Sequence, residues 1–246
     1  MEQQTKYKRY PISICLATYN GAAHLKKQID TILPQLDEAD EIVISDDHST
    51  DHTLEVLRSF HDERIKIFNN GKKKGPVGNF ENSLQKANGE VIFLCDQDDI
   101  WFSDKIEKHM EMHKEYDLVV SDAIVTDEFN AVLFDSFFKE RKSGKGILPN
   151  LIRNSYIGCC MSFKKELLKS ALPFPNQIHM HDWWIGLVAE IKGRIYFLNE
   201  PLMYYIRHTE NASNTLVKTL PLAEQFKNRL VLLTNLIKLR FFKKWR

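Results

Sequence analysis

Five consecutive apolar residues, Val91-Ile92-Phe93-Leu94-Cys95, stop abruptly at Asp96-Gln97-Asp98-Asp99. An unbroken apolar run of that length reads as a strand covered on both faces, the pattern of a parallel sheet between helices. Acids at the carboxyl end of such a strand stand where open α/β sheets bind their ligands. Three carboxylates within four positions repel one another unless a cation is shared among them. Oxygen-rich clusters of this kind suit Mg²⁺ or Mn²⁺, which keep several waters and hold substrate phosphates. Capping the next helix from Ser103 or Asp104 would account for one acid, not three.

The segments around this run repeat its logic. Ile12 to Ala17 reads as a strand that exits through Thr18-Tyr19-Asn20-Gly21. Leu25, Ile29, Ile32, Leu33 and Leu36 then recur at helical spacing, with Pro34 disturbing the last turn. Ile42 to Ile44 is a second strand, ending in Ser45-Asp46-Asp47-His48-Ser49-Thr50-Asp51, and Leu54, Leu57 and Phe60 mark a helix capped by Thr50 or Asp51. Ile65 to Phe68 is a third strand, followed by a Lys/Gly loop and a helix carrying Val77, Phe80, Leu84 and Ala87. After Val91 to Cys95 come a helix with Ile106 and Met110 and a fifth strand, Leu118 to Val120, ending at Ser121-Asp122. Strands alternating with helices at this spacing mean βαβ units and a mostly parallel sheet. Asp46, Asp47, Asp96, Asp98, Asp99 and Asp122 then all fall on one sheet edge.

The second half is less regular. Residues 126–180 mix loops, short apolar runs and prolines. His181-Asp182-Trp183-Trp184 opens a helix, where Asp182 could serve as N-cap or as a catalytic carboxylate, and Ile195 to Leu198 reads as a strand. Leu222, Phe226, Leu230, Leu233 and Ile237 form an amphipathic stripe. His109 and His113, four apart on a helix, have zinc spacing but no third ligand, and read as a solvated face. Gly71 to Gly78 lacks the terminal Gly-Lys-Ser/Thr of a phosphate loop.

A net charge of +1 gives no global field for nucleic acid. No acid follows Glu224, whereas Lys227, Arg229, Lys238, Arg240, Lys243, Lys244 and Arg246 are all basic. With Leu239, Phe241, Phe242 and Trp245 interleaved, the tail has the composition of an interfacial segment on anionic lipid, and a peripheral membrane contact is expected through 227–246. Cys15, Cys95, Cys159 and Cys160 show no metal spacing and are expected as buried free thiols of a reducing compartment. The polar N-terminus and the lack of any run of about 20 apolar residues point to a cytoplasmic protein, at most at the inner face of the membrane.

The strand exits at Ala17-Thr18-Tyr19-Asn20-Gly21, Ser45-Asp46-Asp47-His48-Ser49-Thr50-Asp51 and Asp96-Gln97-Asp98-Asp99-Ile100-Trp101 together resemble those of family 2 inverting glycosyltransferases. So do Gly75-Pro76-Val77-Gly78-Asn79-Phe80-Glu81, His181-Asp182-Trp183-Trp184 and Tyr205-Ile206-Arg207-His208 with Asn211. The resemblance covers roughly residues 11–215 and is greatest to the rhamnosyltransferase-like branch that builds bacterial surface polysaccharide. It implies the GT-A fold, a Rossmann-like mixed, mostly parallel sheet flanked by helices. Residues 1–215 would form the catalytic domain, with 11–122 as the nucleotide-sugar half and 123–215 as the acceptor half. Residues 216–246 would form a C-terminal amphipathic helical extension.

Carried over by position, the resemblance places Ala17, Thr18, Tyr19, Asp46, Asp47, Asn79 and Asp96 around the donor nucleotide. Asp96-Gln97-Asp98 matches the DXD motif, with Asp98, Asp99 and His208 toward a Mn²⁺ or Mg²⁺ ion. Asp182 is the expected base, and His181, Trp183, Trp184 and Asp122 would face the acceptor. A Glu-Asp pair is usual where this chain has His181-Asp182, and a glycine is common where it has His48. The implied reaction moves a sugar with inversion from a UDP- or dTDP-sugar to a glycan or lipid-linked acceptor. A sugar nucleotidyltransferase would want a basic, glycine-rich loop that Leu16 to Gly21 lacks. A non-catalytic nucleotide- or glycan-binding subunit would not need Asp96, Asp98 and Asp182 intact.

Overall fold

The computed structural model describes residues 10–207 and 221–242. His208, Asn211 and the basic end from 243 lie outside the described residues. The first half alternates as its hydrophobic pattern requires: β1 (Ile12–Thr18), α1 (Ala22–Ile32), β2 (Glu41–Asp46), α2 (Thr53–Arg58), β3 (Ile65–Asn69), α3 (Pro76–Lys86) and β4 (Val91–Cys95). A short β5 (Ile100–Trp101) and α4 (Lys105–Met112) lead to the second half. There follow β6 (Leu118–Asp127), β7 (Val132–Phe134), α5 (Phe137–Arg141), α6 (Ile147–Ile152), β8 (Met161–Lys164) and α7 (Leu168–Ala171). The final elements are α8 (His181–Lys192), β9 (Ile195–Arg207) and α9 (Leu222–Phe242).

All described strands join one sheet in the order β3-β2-β1-β4-β8-β6-β9-β5, with β7 paired to β6. The longest ladders are parallel: β1 with β2 and β4, β2 with β3, and β6 with β9. Apart from half-buried Ala17, the residues of β1, β2 and β4 are buried throughout, and each such Ile, Leu, Val or Phe contributes roughly 1.5–3 kcal/mol on burial. Because these strands run in parallel, their exits at Thr18, Asp46 and Cys95 open on one edge. The register fixes this directly, pairing Thr18 with Asp46 and Leu16 with Cys95.

The structure corrects the sequence reading in four places. The strand expected at 118–120 continues to Asp127, with register shifts on either side of Asp122, so Asp122 lies within a strand rather than at its end. The strand expected at 195–198 runs on to Arg207. His109 and His113 do not lie on a solvated face. Both are buried and both approach the Ser162 hydroxyl at 2.7 Å. Burial drives His113 down to about 4 and His109 well below its ordinary value, the latter helped by Lys105, so both are neutral. Finally, α9 turns Asn228, Leu232, Leu236 and Leu239 inward, while the stripe from Leu222 to Ile237 faces outward.

Candidate active site

Leaving β4, the chain turns through Asp96 to Asp99 into β5, and Asp98 and Asp99 are buried. Asp99 Oδ1 accepts from the Ile206 amide at 3.3 Å, while its Oδ2 is buried without a partner. Burial pushes the Asp96 carboxyl up to about 7, with the charges of Asp98 and Asp182 adding to it. Burial, then Asp98 and Asp96, pushes Asp99 well above the carboxylate range. Asp96, Asp99 and Cys159 can each bring one ligand atom within 4.8 Å of the others. The Cys159 thiol is driven far up by burial and stays protonated, so the carboxylates are the better donors for a hard cation. A buried carboxylate oxygen without a partner among mutually repelling acids is what such a cation would relieve, and the site fits Mn²⁺ or Mg²⁺.

The neighbouring strand exits build the side expected to meet the donor. Asp46 is held by Thr18 Oγ1 at 3.0 Å and by the amide and hydroxyl of Ser49 at 2.9 and 2.5 Å. Both oxygens of Asp47 serve the Lys/Gly loop, accepting from Asn70 Nδ2 and the Gly75 amide at 2.7 Å each. Asn79 on α3 donates to the Thr18 carbonyl at 3.0 Å, leaving its Oδ1 buried without a partner. Ala17 is half-buried and the Tyr19 ring exposed. His48 adopts φ +62°, the left-handed conformation that makes glycine common at such a position, and its Nε2 approaches the Asn70 carbonyl at 3.1 Å. Asp51 accepts from the Thr53 amide at the start of α2 and from the Ala22 amide of α1, fastening both helix starts to this edge.

The facing wall is the first turn of α8. Asp182 accepts from its neighbour's amide, Trp183 N, at 2.6 Å and from the Gly158 amide at 3.0 Å. Burial nevertheless raises it to about 6, the two amides opposing that rise. His181 is buried against Phe80, with ring centroids 3.9 Å apart, and both ring nitrogens lack a partner. Burial lowers it to about 3, so it is neutral. A Cβ on Gly158 would stand 3.2 Å from His181 Nε2, so any larger residue in this turn would press on the His181 ring.

Three residues expected at the acceptor are occupied elsewhere. Both indoles are buried, Trp183 donating to the Asn150 carbonyl at 2.8 Å and Trp184 to that of Ala171 at 2.9 Å. Neither offers the open face that stacking on a sugar requires. Asp122 spends its oxygens on the Ala123 and Phe138 amides and the Ser136 hydroxyl, fixing the start of α5.

Set against known proteins, the family described as Glycosyl transferase family 2 matches residues 13–172. The chain belongs to that family. It is a glycosyltransferase, and the nucleotidyltransferase alternative falls away. Among its relatives is WfgD of Escherichia coli, a UDP-Glc:α-D-GlcNAc-diphosphoundecaprenol β-1,3-glucosyltransferase. That protein is 27% identical over 193 residues, covering 72% of this chain and 69% of the relative. Among solved structures, S. aureus TarS 1–349 with UDP-GlcNAc superposes with a TM-score of 0.71 at 17% identity, covering 92% of this chain and 66% of that one. The mannosyltransferase PcManGT from Pyrobaculum calidifontis, in complex with GDP-Man and Mn²⁺, gives 0.61 at 18%, covering 97% and 72%. These likenesses establish the GT-A fold.

Two residues of this family 2 glycosyltransferase escaped the sequence reading. Gln97, the middle residue of the acid motif, clasps the Tyr19 backbone, accepting from its amide at 2.9 Å and donating to its carbonyl at 3.1 Å. Lys105 is a fully buried cation under the acids. Its Nζ donates to the Cys159 carbonyl at 2.6 Å and lies 4.3 Å from the Trp101 ring centroid. A polar residue between two acids and a lysine at a helix start carry no signal in one sequence.

Proposed function

We propose that this glycosyltransferase moves a sugar, with inversion, from a UDP- or dTDP-sugar to a glycan or lipid-linked acceptor in the synthesis of bacterial surface polysaccharide. The observation that carries the reading is Asp182: a buried carboxylate poised near 6, close enough to the acid cluster that its charge raises Asp96. A general base works best when its pKa lies near the operating pH. Asp182 is ionised at neutral pH and takes the proton of the acceptor hydroxyl as it attacks. Its two amide bonds hold the carboxylate in place and stabilise its charged form. One base and no covalent intermediate give inversion, by the stereochemical logic of inverting hydrolases.

On the donor side, Asp46 and Asn79, fixed through Thr18, line the base and ribose pocket with Ala17 and Tyr19. Asp47 shapes its rim through the 70–75 loop. Asp99 and Asp96, whose oxygens come together, would hold Mn²⁺ or Mg²⁺, with Asp98 beside them. When bound, that ion neutralises charge building on the departing diphosphate. WfgD's lipid-diphosphate acceptor and the nucleotide-sugars bound by the structural relatives support this assignment. The test is a thermal-shift panel of UDP-, dTDP- and GDP-sugars with Mn²⁺, Mg²⁺ or EDTA. Stabilisation by one pyrimidine nucleotide-sugar, larger with metal, is expected. No stabilisation by any nucleotide under any condition overturns the reading.

A further inference from the structure

The outward stripe of α9 has a geometry of its own. At about 100° per residue, Leu222, Phe226, Leu230, Leu233 and Ile237 fall within an arc of roughly 80°. All five are between 41% and 83% exposed. Leu148 and Ile152 of α6, 73% and 71% exposed, extend the apolar patch onto the neighbouring helix, which Arg229 ties to α9 by donating to the Leu151 and Ile152 carbonyls. The charges around the stripe are sorted by sign. Arg229 and Arg240 fall on one edge, and Lys227 and Lys238 stand about 60–80° past the other. Glu224, the one acid of α9, lies on roughly the opposite face, and α6 carries no charge. Beyond Phe242 the sequence adds Lys243, Lys244, Trp245 and Arg246.

We propose that this face, the stripe of α9 with Leu148 and Ile152 of α6, docks flat on an anionic lipid surface. An apolar arc flanked on both sides by cations is the form an interfacial helix takes at the boundary of headgroups and acyl chains. A second copy of this chain would bring the same four cations against themselves, whereas an anionic bilayer complements them. This revises the expectation from composition, because Leu239, counted there among the lipid-facing residues, is buried against the protein. The docking face is also hydrogen-bonded to the helix that carries Asp182, since the Asn150 carbonyl of α6 accepts from Trp183 Nε1. The proposal concerns binding and stands whether or not the transfer reaction is assigned correctly.

The test uses the full chain with vesicles of phosphatidylcholine alone or mixed equally with phosphatidylglycerol. The four natural cysteines are buried, so a Phe226→Cys variant takes an environment-sensitive fluorophore at that site alone. Blue-shifted emission with the anionic vesicles, reversed by salt, is expected. In flotation, Phe226→Glu with Leu233→Glu should weaken partitioning by at least about tenfold per substitution. Lys227→Gln and Lys238→Gln should each weaken it about fivefold. Thermal melts confirm that each variant is folded, and the labelled variant reports docking even if the glutamate pair is not. Three results overturn the proposal: no preference for anionic vesicles, an unshifted probe, or equal binding by a folded glutamate variant. So does sedimentation showing that the glutamate pair only converts a dimer to a monomer.

Discussion

Replacing Asp182 by Asn tests the centre of the proposed chemistry through two independent quantities. Burial raises this carboxyl from its ordinary 3.8 to about 6. The folded protein therefore keeps a proton that the unfolded chain has already released. Stability from this group is present below the unfolded value and is lost as pH rises through the folded one. The full shift of roughly two units corresponds to about 3 kcal/mol, of which about 2.5 kcal/mol falls between pH 4 and pH 8. Wild-type stability alone cannot reveal this. Buried His109, His113 and His181, all held below their ordinary values, contribute the opposite slope as unfolded histidines lose their protons near 6.5. The difference between variant and wild type cancels the histidine slope and keeps the repulsion between Asp182 and Asp96, which acts in the same direction as the shift of Asp182 itself. Asp182→Asn should gain on wild type by roughly 5–10 °C in melting temperature across the window.

The second quantity is turnover. With a base near 6, wild-type kcat should fall about tenfold per pH unit below that value. Asp182→Asn should lose that acid limb and about 10²–10⁴ in kcat, while its affinity for the donor nucleotide stays within a factor of about two. Calorimetric melts over pH, turnover with a nucleotide-sugar and nucleotide titration supply the data. A stability difference flat with pH would falsify the assigned burial. Turnover above a tenth of wild type, or an acid limb that survives the substitution, would remove Asp182 as the base.

Other outcomes follow from neighbouring contacts. Gln97→Ala breaks the clasp on the Tyr19 backbone and should weaken nucleotide affinity by roughly 5–30-fold, about 1–2 kcal/mol, seen by calorimetric titration with little change in melting temperature. Asp96→Asn removes a carboxyl that burial and its neighbours hold near 7. In EDTA at pH 8 it should melt above wild type, and the rise on adding Mn²⁺ should shrink, both visible by thermal shift. Lys105→Met leaves the buried Cys159 carbonyl without its donor and removes the charge that lowers Asp96, and should cost about 1–3 kcal/mol at neutral pH, with part recovered at pH 5, where Asp96 is protonated. Urea unfolding at the two pH values checks the sign.

The strand-exit half of the candidate site was legible because its information is local. The apolar runs of β1, β2 and β4 fix parallel strands, and parallel strands put Thr18, Asp46 and Asp96 on one edge without any knowledge of the rest. The facing half depends on partners far apart in sequence. The four residues of β8 pair with β4 and β6 across long separations, and nothing within Met161–Lys164 announces it. The length of β6 and β9 comes from their mutual pairing past the irregularities around Asp122, where a local pattern read the strand as finished. His109 and His113 look like surface residues until Ser162 arrives from another strand to meet both rings. In α9 the periodicity revealed a helix but not its orientation, because the chain supplies two apolar faces and only the rest of the fold selects between them.

The short turn Gly158–Cys160 touches both walls of the site. Its first amide binds Asp182, its middle carbonyl binds Lys105, and the Cys159 side chain abuts the acid cluster. It acts as a ruler set between the proposed base and the acid cluster, a spacing that inversion at one carbon would need held. The chain on its N-terminal side, from Glu128 to Ile157, is anchored at separate points, Ser136 to Asp122, Asn150 to Trp183 and Tyr156 to Glu190, with exposed residues between them. Exchanges confined to exposed residues such as Phe129 and Val132 should therefore leave the turn at Gly158–Cys160, and the spacing that it sets, as it was.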